Sequence, residues 1–247
     1  MASKLTALTL WLLVLTATGC FHRPSPYMPT EWPRRPAPAA SLQVAAESPR
    51  LQIIIGYFDL WPNHTALRLV APDRPVIFWD PGGGYGLNPP ERARIRDVII
   101  DGAPDIATYM PFRWYNNDAL TEIFEWDLSD SEALRLHHVL MAGAGIEPDP
   151  AIAFDTETPG FFCAAAVSDF LHRFGPPALW VETATNSPAR LSQSLYGQNP
   201  DRVLLFYRRD RPGYQVMTPP PEAPSRGRSV RGDKAKVEPG SVSSGLQ

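Results

Sequence analysis

The sequence predicts an α+β domain built on an antiparallel sheet. Short β-branched and aromatic runs crowd the start of the central region, helix-start signals follow them as a block, and one more apolar run closes it. The link Ala71-Pro72-Asp73-Arg74-Pro75 is short and turn-forming, so the runs on either side of it should pair as a hairpin. Gln52–Phe58 (QIIIGYF) reads as the first strand. In the second, Thr65–Val70 (TALRLV), residues Thr65, Leu67 and Leu69 share one face, with His64, Ala66, Arg68 and Val70 on the other. Val76–Asp80 (VIFWD) is the third, ended by Pro81-Gly82-Gly83-Gly84. Arg92–Ile100 is expected to be helical and Leu120–Trp126 to be a strand. Ser129 with Glu132 three residues on forms a capping box that opens a helix through Leu140. Thr158-Pro159 starts a helix over 160–174, with Cys163 in its first turns. Ser187-Pro188 opens a short helix, and Val203–Tyr207 (VLLFY) is the closing strand.

Composition bounds the function. The chain has 247 residues, of which 28 are Pro, about twice the usual share of roughly 5%. A hydrophobic content of 44% excludes collagen-like, wholly disordered and multi-span membrane classes. Two cysteines exclude a disulfide-dense scaffold and a Cys-rich zinc framework. A net charge of −3 argues against a nucleic-acid partner held by general positive charge. That charge is an average over unlike parts. Residues 51–210 carry 12 Arg, no Lys and 21 Asp+Glu, a net −9, while the flanks are basic.

The flanks have their own reading. Residues 1–19 carry Lys4 and then an apolar stretch too short to span a bilayer, the layout of an export signal. It ends in Ala17-Thr18-Gly19-Cys20, which resembles the bacterial lipobox, where the signal is cut before a Cys that then carries lipid. By that resemblance Cys20 anchors the chain to the membrane, and Phe21 after it favours the outer membrane, facing the periplasm. A plain cleaved signal with an incidental Cys is the alternative. Residues 20–50 hold seven Pro after Cys20 and read as a membrane-proximal linker; 211–247 read as a disordered basic tail.

Cysteine arithmetic then isolates Cys163. With Cys20 lipidated it has no partner, so it is either buried and inert or kept for its reactivity. A helix N-terminus favours a thiolate, because the backbone dipole and free N–H groups stabilise negative charge. A Cys nucleophile needs a base. His172 lies nine residues further along the same helix, about 13 Å away and out of reach. His137 and His138 are adjacent on another helix. His64, at the start of a strand, can be aimed at a helix end, although a lone His is often structural. Asp80, ending the paired strand, is the best-placed carboxylate to orient it, or is simply a turn residue before Pro-Gly. No metal and no cofactor are expected: Gly82-Gly83-Gly84 lacks the Lys and Ser/Thr of a phosphate loop.

Three stretches follow one pattern: Asn63-His64-Thr65-Ala66-Leu67-Arg68-Leu69, then Ile77-Phe78-Trp79-Asp80, then Phe162-Cys163-Ala164-Ala165-Ala166-Val167. They resemble the circularly permuted branch of the NlpC-type papain-like superfamily, which includes peptidases, amidases and acyltransferases. His64 precedes Cys163 by 99 residues, in the order that branch uses. The resemblance implies a papain-like antiparallel sheet packed on a Cys-bearing helix. It also implies Cys163 as nucleophile, His64 as base and Asp80 as orienting group. Many relatives have Asn before the Cys and Ser after it; here stand Phe162 and Ala164, a more apolar entrance. Two functions are therefore expected. One is an envelope-anchored cysteine hydrolase or acyltransferase acting on an amide or ester, in a cell-wall peptide or a lipid. The other is an inactive envelope lipoprotein that uses the same domain as a binding module.

Overall fold

The computed structural model describes residues 34–37, 48–58, 61–85, 94–115, 118–157, 162–181, 185–207 and 213–217. In chain order the elements are β1 (Arg34–Ala37), β2 (Arg50–Phe58), β3 (Trp61–Val70), β4 (Ile77–Trp79), β5 (Arg94–Ile95), β6 (Val98–Ile99) and α1 (Ile106–Tyr115). There follow β7 (Asp118–Asp127), α2 (Asp130–Gly143), α3 (Cys163–Phe174), α4 (Pro188–Tyr196), β8 (Arg202–Tyr207) and β9 (Gly213–Met217). The fold is α+β. The strands form one sheet in the order β1-β9-β8-β7-β2-β3-β4-β6-β5, and every neighbouring pair is antiparallel.

Both faces of the sheet are covered, which is why β2 is buried along nearly its whole length instead of alternating. On one face Ile53, Ile55, Leu67, Trp79, Phe124 and Leu205 pack under the apolar sides of α2, α3 and α4. On the other, Ile54, Ala66, Phe78, Ile99, Ile123 and Phe206 lie under Ile106, Tyr109 and Met110 of α1. Each fully buried Leu, Ile or Phe side chain contributes about 1.5–3 kcal/mol. Trp79, Phe154, Phe170 and Phe174 form a chain of ring contacts, with centroids 5.5–5.9 Å apart, that fixes α3 to the sheet. The parity read in Thr65–Val70 is thus realised, with an apolar layer on each side.

Several sequence expectations are corrected. Arg92–Ile100 is not a helix: its described part is the β5–β6 hairpin, turning at Arg96 and Asp97 with φ of 43° and 66°. Two left-handed residues make the tight turn whose twist suits a hairpin, and Asp tolerates that conformation. The β-branched Val98 and Ile99 gain more by pairing onto β4, where Ile99 faces Phe78, than a short helix would bury. Helix α1 has no counterpart in the sequence reading, because Pro111 interrupts its pattern. Asp105 starts it by accepting the Thr108 N–H at 2.6 Å.

The sheet also continues past residues 51–210. Strand β1 arises in the Pro-rich linker and β9 in the basic tail, and they pair with one another. Pro36 is tolerated because β1 is the outermost strand, where a missing N–H breaks no inner ladder. Residues 1–33, including Cys20, and 218–247 lie outside the described residues, as does the Thr158-Pro159 helix start. No helix among the described residues is long and apolar enough to cross a membrane.

One carboxyl group in the core is held without a cation. Glu122 of β7 is fully buried; its Oε2 accepts the Tyr57 and Ser192 hydroxyls at 2.5 and 2.7 Å, and Oε1 meets the Tyr196 hydroxyl at 2.8 Å. Burial raises its pKa against the opposing pull of these hydroxyls. The folded chain therefore holds this proton at pH values where the unfolded chain has released it, so stability falls as pH rises above the ordinary carboxylate range. Glu122→Gln mimics the protonated acid. It is expected to raise the urea midpoint at neutral pH and to lose that gain at acid pH. Equal midpoints for both chains at both pH values would contradict this.

Candidate active site

His64, Asp80 and Cys163 come from three elements that meet where β4 ends. Strand β4 pairs with β3 only along Leu67–Leu69, so the outer edge of β3 at Thr65 and His64 is not covered by it. The register between β2 and β3 shifts just there. Gly56 faces His64 while Tyr57 faces Pro62, leaving Asn63 as an extra residue. Such a bulge re-aims the side chains beside it. Gly56 also places no side chain opposite the imidazole.

Helix α3 reaches this edge from the opposite face of the sheet. It begins at Cys163 itself, and Phe162, in the capping position, supplies no side-chain hydrogen bond. The first-turn N–H groups are therefore left to serve the sulfur or a ligand. The backbone N–H groups of Thr65 and Ala164 both bond to the Cys163 sulfur. The segment 158–161, assigned to this helix from the sequence, lies outside the described residues.

Cys163 and the His64 ring are hydrogen-bonded to one another. His64 Nε2 lies 2.6 Å from Asp80 Oδ1, so Nδ1 is the nitrogen left to face the thiol. Asp80 is completely buried, and its second oxygen, Oδ2, accepts the Tyr85 N–H at 3.1 Å and Arg94 Nη1 at 3.3 Å. The structure thus brings all three residues singled out from the sequence into one chain of hydrogen bonds. Cys163 and His64 are 5% and 9% exposed, a narrow opening beside Phe162, which is 53% exposed.

The charges of the set support one another. Burial opposes protonation of His64, but the Asp80 carboxylate and the Cys163 hydrogen bond outweigh it and push its pKa up to about 9. Burial likewise opposes ionisation of Cys163, yet the His64 hydrogen bond and charge, with the two backbone N–H groups, hold the thiol below its ordinary range. Asp80 is held below the usual carboxylate range, against its burial, by His64, Arg94 and the Tyr85 N–H. A thiolate–imidazolium pair is the state these shifts favour.

The residues that seat Asp80 escaped the sequence reading. Gly82-Gly83-Gly84 reads in the sequence as a plain turn, but a Cβ on Gly83 would overlap the Asp80 carboxylate. Asp97, placed in a helix from the sequence, accepts the Gly82 N–H at 3.0 Å through its side chain and the Asp80 N–H at 2.9 Å through its backbone oxygen. Buried Arg113 of α1 donates to Asn63 Oδ1 at 3.1 Å, beside His64. The only available signal was a run of small residues directly after a carboxylate.

The other histidines stand apart. His137 is buried, 3.2 Å from the Pro75 carbonyl; His138 pairs with Asp149 at 2.9 Å; and His172 Nδ1 lies 2.8 Å from the Val181 carbonyl. Trp79 and Trp126 are core residues. Among the described residues no three His, Cys, Asp or Glu converge as a metal site. A cavity of about 490 Å³ runs along α3 from Phe162 past Ala165, Ala166 and Asp169 to Arg173, walled by the strap Ala153–Asp155 and Glu157. Its lining includes Phe162 and Ala165 on either side of Cys163 but not Cys163 itself.

No protein-family model matches the chain, and no curated protein or solved structure shows significant similarity to it.

Proposed function

We propose that the chain is an envelope-anchored lipoprotein whose folded domain is a thiol-dependent hydrolase or acyltransferase of the circularly permuted, NlpC-type papain-like kind. The Cys163–His64–Asp80 hydrogen-bond chain, with the sulfur at the first residue of a helix, carries this reading. In the reaction the Cys163 thiolate attacks the carbonyl carbon of an amide or ester. The carbonyl electron pair moves to oxygen, beside the Cys163 N–H at the start of α3. His64 gives its proton to the leaving amine or alcohol as the tetrahedral species collapses, which leaves a thioester on Cys163. Neutral His64 then takes a proton from water or from an acceptor hydroxyl or amine, whose attack releases the acyl group and restores the thiol. Asp80 holds the ring and balances the imidazolium.

Lipid on Cys20 would hold this domain at the outer membrane, facing the periplasm, near cell-wall peptides and lipid esters. The full chain expressed in a bacterial envelope is expected to form a thioester with an activated acyl probe, detected as a mass gain on the Cys163 peptide. Cys163→Ala should lose the adduct, and Cys20→Ala should carry it into the soluble fraction. No adduct with any amide or ester probe would favour the binding-module reading, to which the narrow opening at Cys163 lends its support.

A further inference from the structure

Arg94 belongs to neither core and was not legible as a functional residue, yet it makes the densest set of polar contacts around Asp80. Its side chain is 10% exposed. Nη1 lies 3.3 Å from Asp80 Oδ2 and 2.9 Å from the Tyr85 carbonyl; Nη2 lies 2.6 Å from the Asp80 carbonyl and 2.7 Å from Asp97 Oδ1. One planar fork thereby grips both ends of the 80–85 loop and both of its neighbouring carboxylates. A lysine, with one compact ammonium, cannot reproduce that.

We propose that Arg94 is the fourth member of the set, a positioning residue whose charge fixes the pH interval over which Cys163 is nucleophilic. The inference rests on the thiol reading given above. The charges that face the pair come from five elements. His64 stands on β3, Asp80 follows β4, Arg94 and Asp97 sit in the β5–β6 hairpin, Arg113 is on α1 and Cys163 starts α3. In the reactive state the thiolate and the Asp80 and Asp97 carboxylates are balanced by the imidazolium, Arg113 and Arg94, and Arg94 is ion-paired with both carboxylates. Without Arg94 the buried set is left with one uncompensated negative charge. Every proton in it is then held more tightly: the thiol ionises at higher pH, and the imidazolium survives to higher pH.

The test is the rate at which an unactivated ester or amide acylates Cys163 in the full chain as a function of pH, read as an acid limb where the thiol is protonated, a plateau, and an alkaline limb where His64 has lost the proton the leaving group needs. Arg94→Met is expected to move both limbs to higher pH, by about one unit. Arg94→Lys keeps the charge and loses the fork, so its limbs should stay in place while its plateau falls. Asp97→Asn removes the opposite charge and should move both limbs to lower pH, which keeps the proposal testable if Arg94→Met does not fold. Unmoved limbs in both Arg94→Met and Asp97→Asn would overturn the role of Arg94, as would limbs that shift as far in Arg94→Lys as in Arg94→Met. Wild-type Cys163 reacting no faster than a free thiol, with no alkaline limb, would overturn the thiol reading and this inference together.

Discussion

His64→Ala will slow acylation of Cys163 by about 10²–10⁴-fold, the range that a positioned acid–base group contributes. It will also abolish the alkaline limb of the pH profile. In the wild-type chain that limb should fall near the point where His64 loses its proton, about 9. The sign follows from the pair. Below the lowered thiol pKa the sulfur is protonated and slow; above about 9 the imidazolium is gone, and with it the proton for the leaving group. The wild-type rate is therefore a plateau bounded on both sides. In His64→Ala the thiol keeps only its two backbone N–H donors against the cost of burial, so its ionisation moves up towards or beyond the ordinary value. Acylation of both chains by one unactivated ester or amide, whose leaving group needs a proton, followed across the acid and alkaline ranges, measures this. A His64→Ala chain that keeps the wild-type rate and both limbs would remove His64 from the mechanism.

Gly83→Ala is expected to be nearly as damaging, although it changes no ionisable group. The added methyl would occupy the space of the Asp80 carboxylate, which is fully buried and has nowhere to move without leaving His64, the Tyr85 N–H and Arg94. Losing the orienting acid of such a set costs about 10⁴-fold in kcat. Gly83→Ala should approach the loss seen for Asp80→Ala, with KM little changed. It should also lower the melting temperature, since a buried carboxylate deprived of its partners is costly. Combining the two substitutions separates the effects: if Gly83 acts through Asp80, Gly83→Ala adds nothing to Asp80→Ala. Full additivity would show that Gly83 matters for another reason.

Local patterns carried far along this chain. Ser129 caps α2 with both halves of the box in place, Ser187 accepts the Arg190 N–H at the start of α4, and the Thr65–Val70 alternation separates the two cores. Each rests on contacts within a few residues, so the residues themselves suffice. Arg94–Ile99 failed for the complementary reason. Its propensities are ambiguous, and pairing onto β4 decides them. Strands β1 and β9 failed likewise, since each stands beside the other in the sheet while 175 positions separate Ala37 from Gly213 along the chain.

The sequence by itself determined the α+β class, most of the strands and the helix starts at Ser129 and Ser187, because helix caps and strand alternation are properties of short segments; it singled out Cys163, His64 and Asp80 as candidates only through their residue types and their order along the chain. Only the tertiary structure decided that the three meet in one hydrogen-bond chain, that His64 and Arg94 hold the Asp80 carboxyl below its usual range against burial, and that Gly83, Asp97 and Arg94 seat it there. Those outcomes depend on burial and on charges a few ångströms apart. Both are set by which strand ends beside which helix, a relation that exists only once the chain has folded.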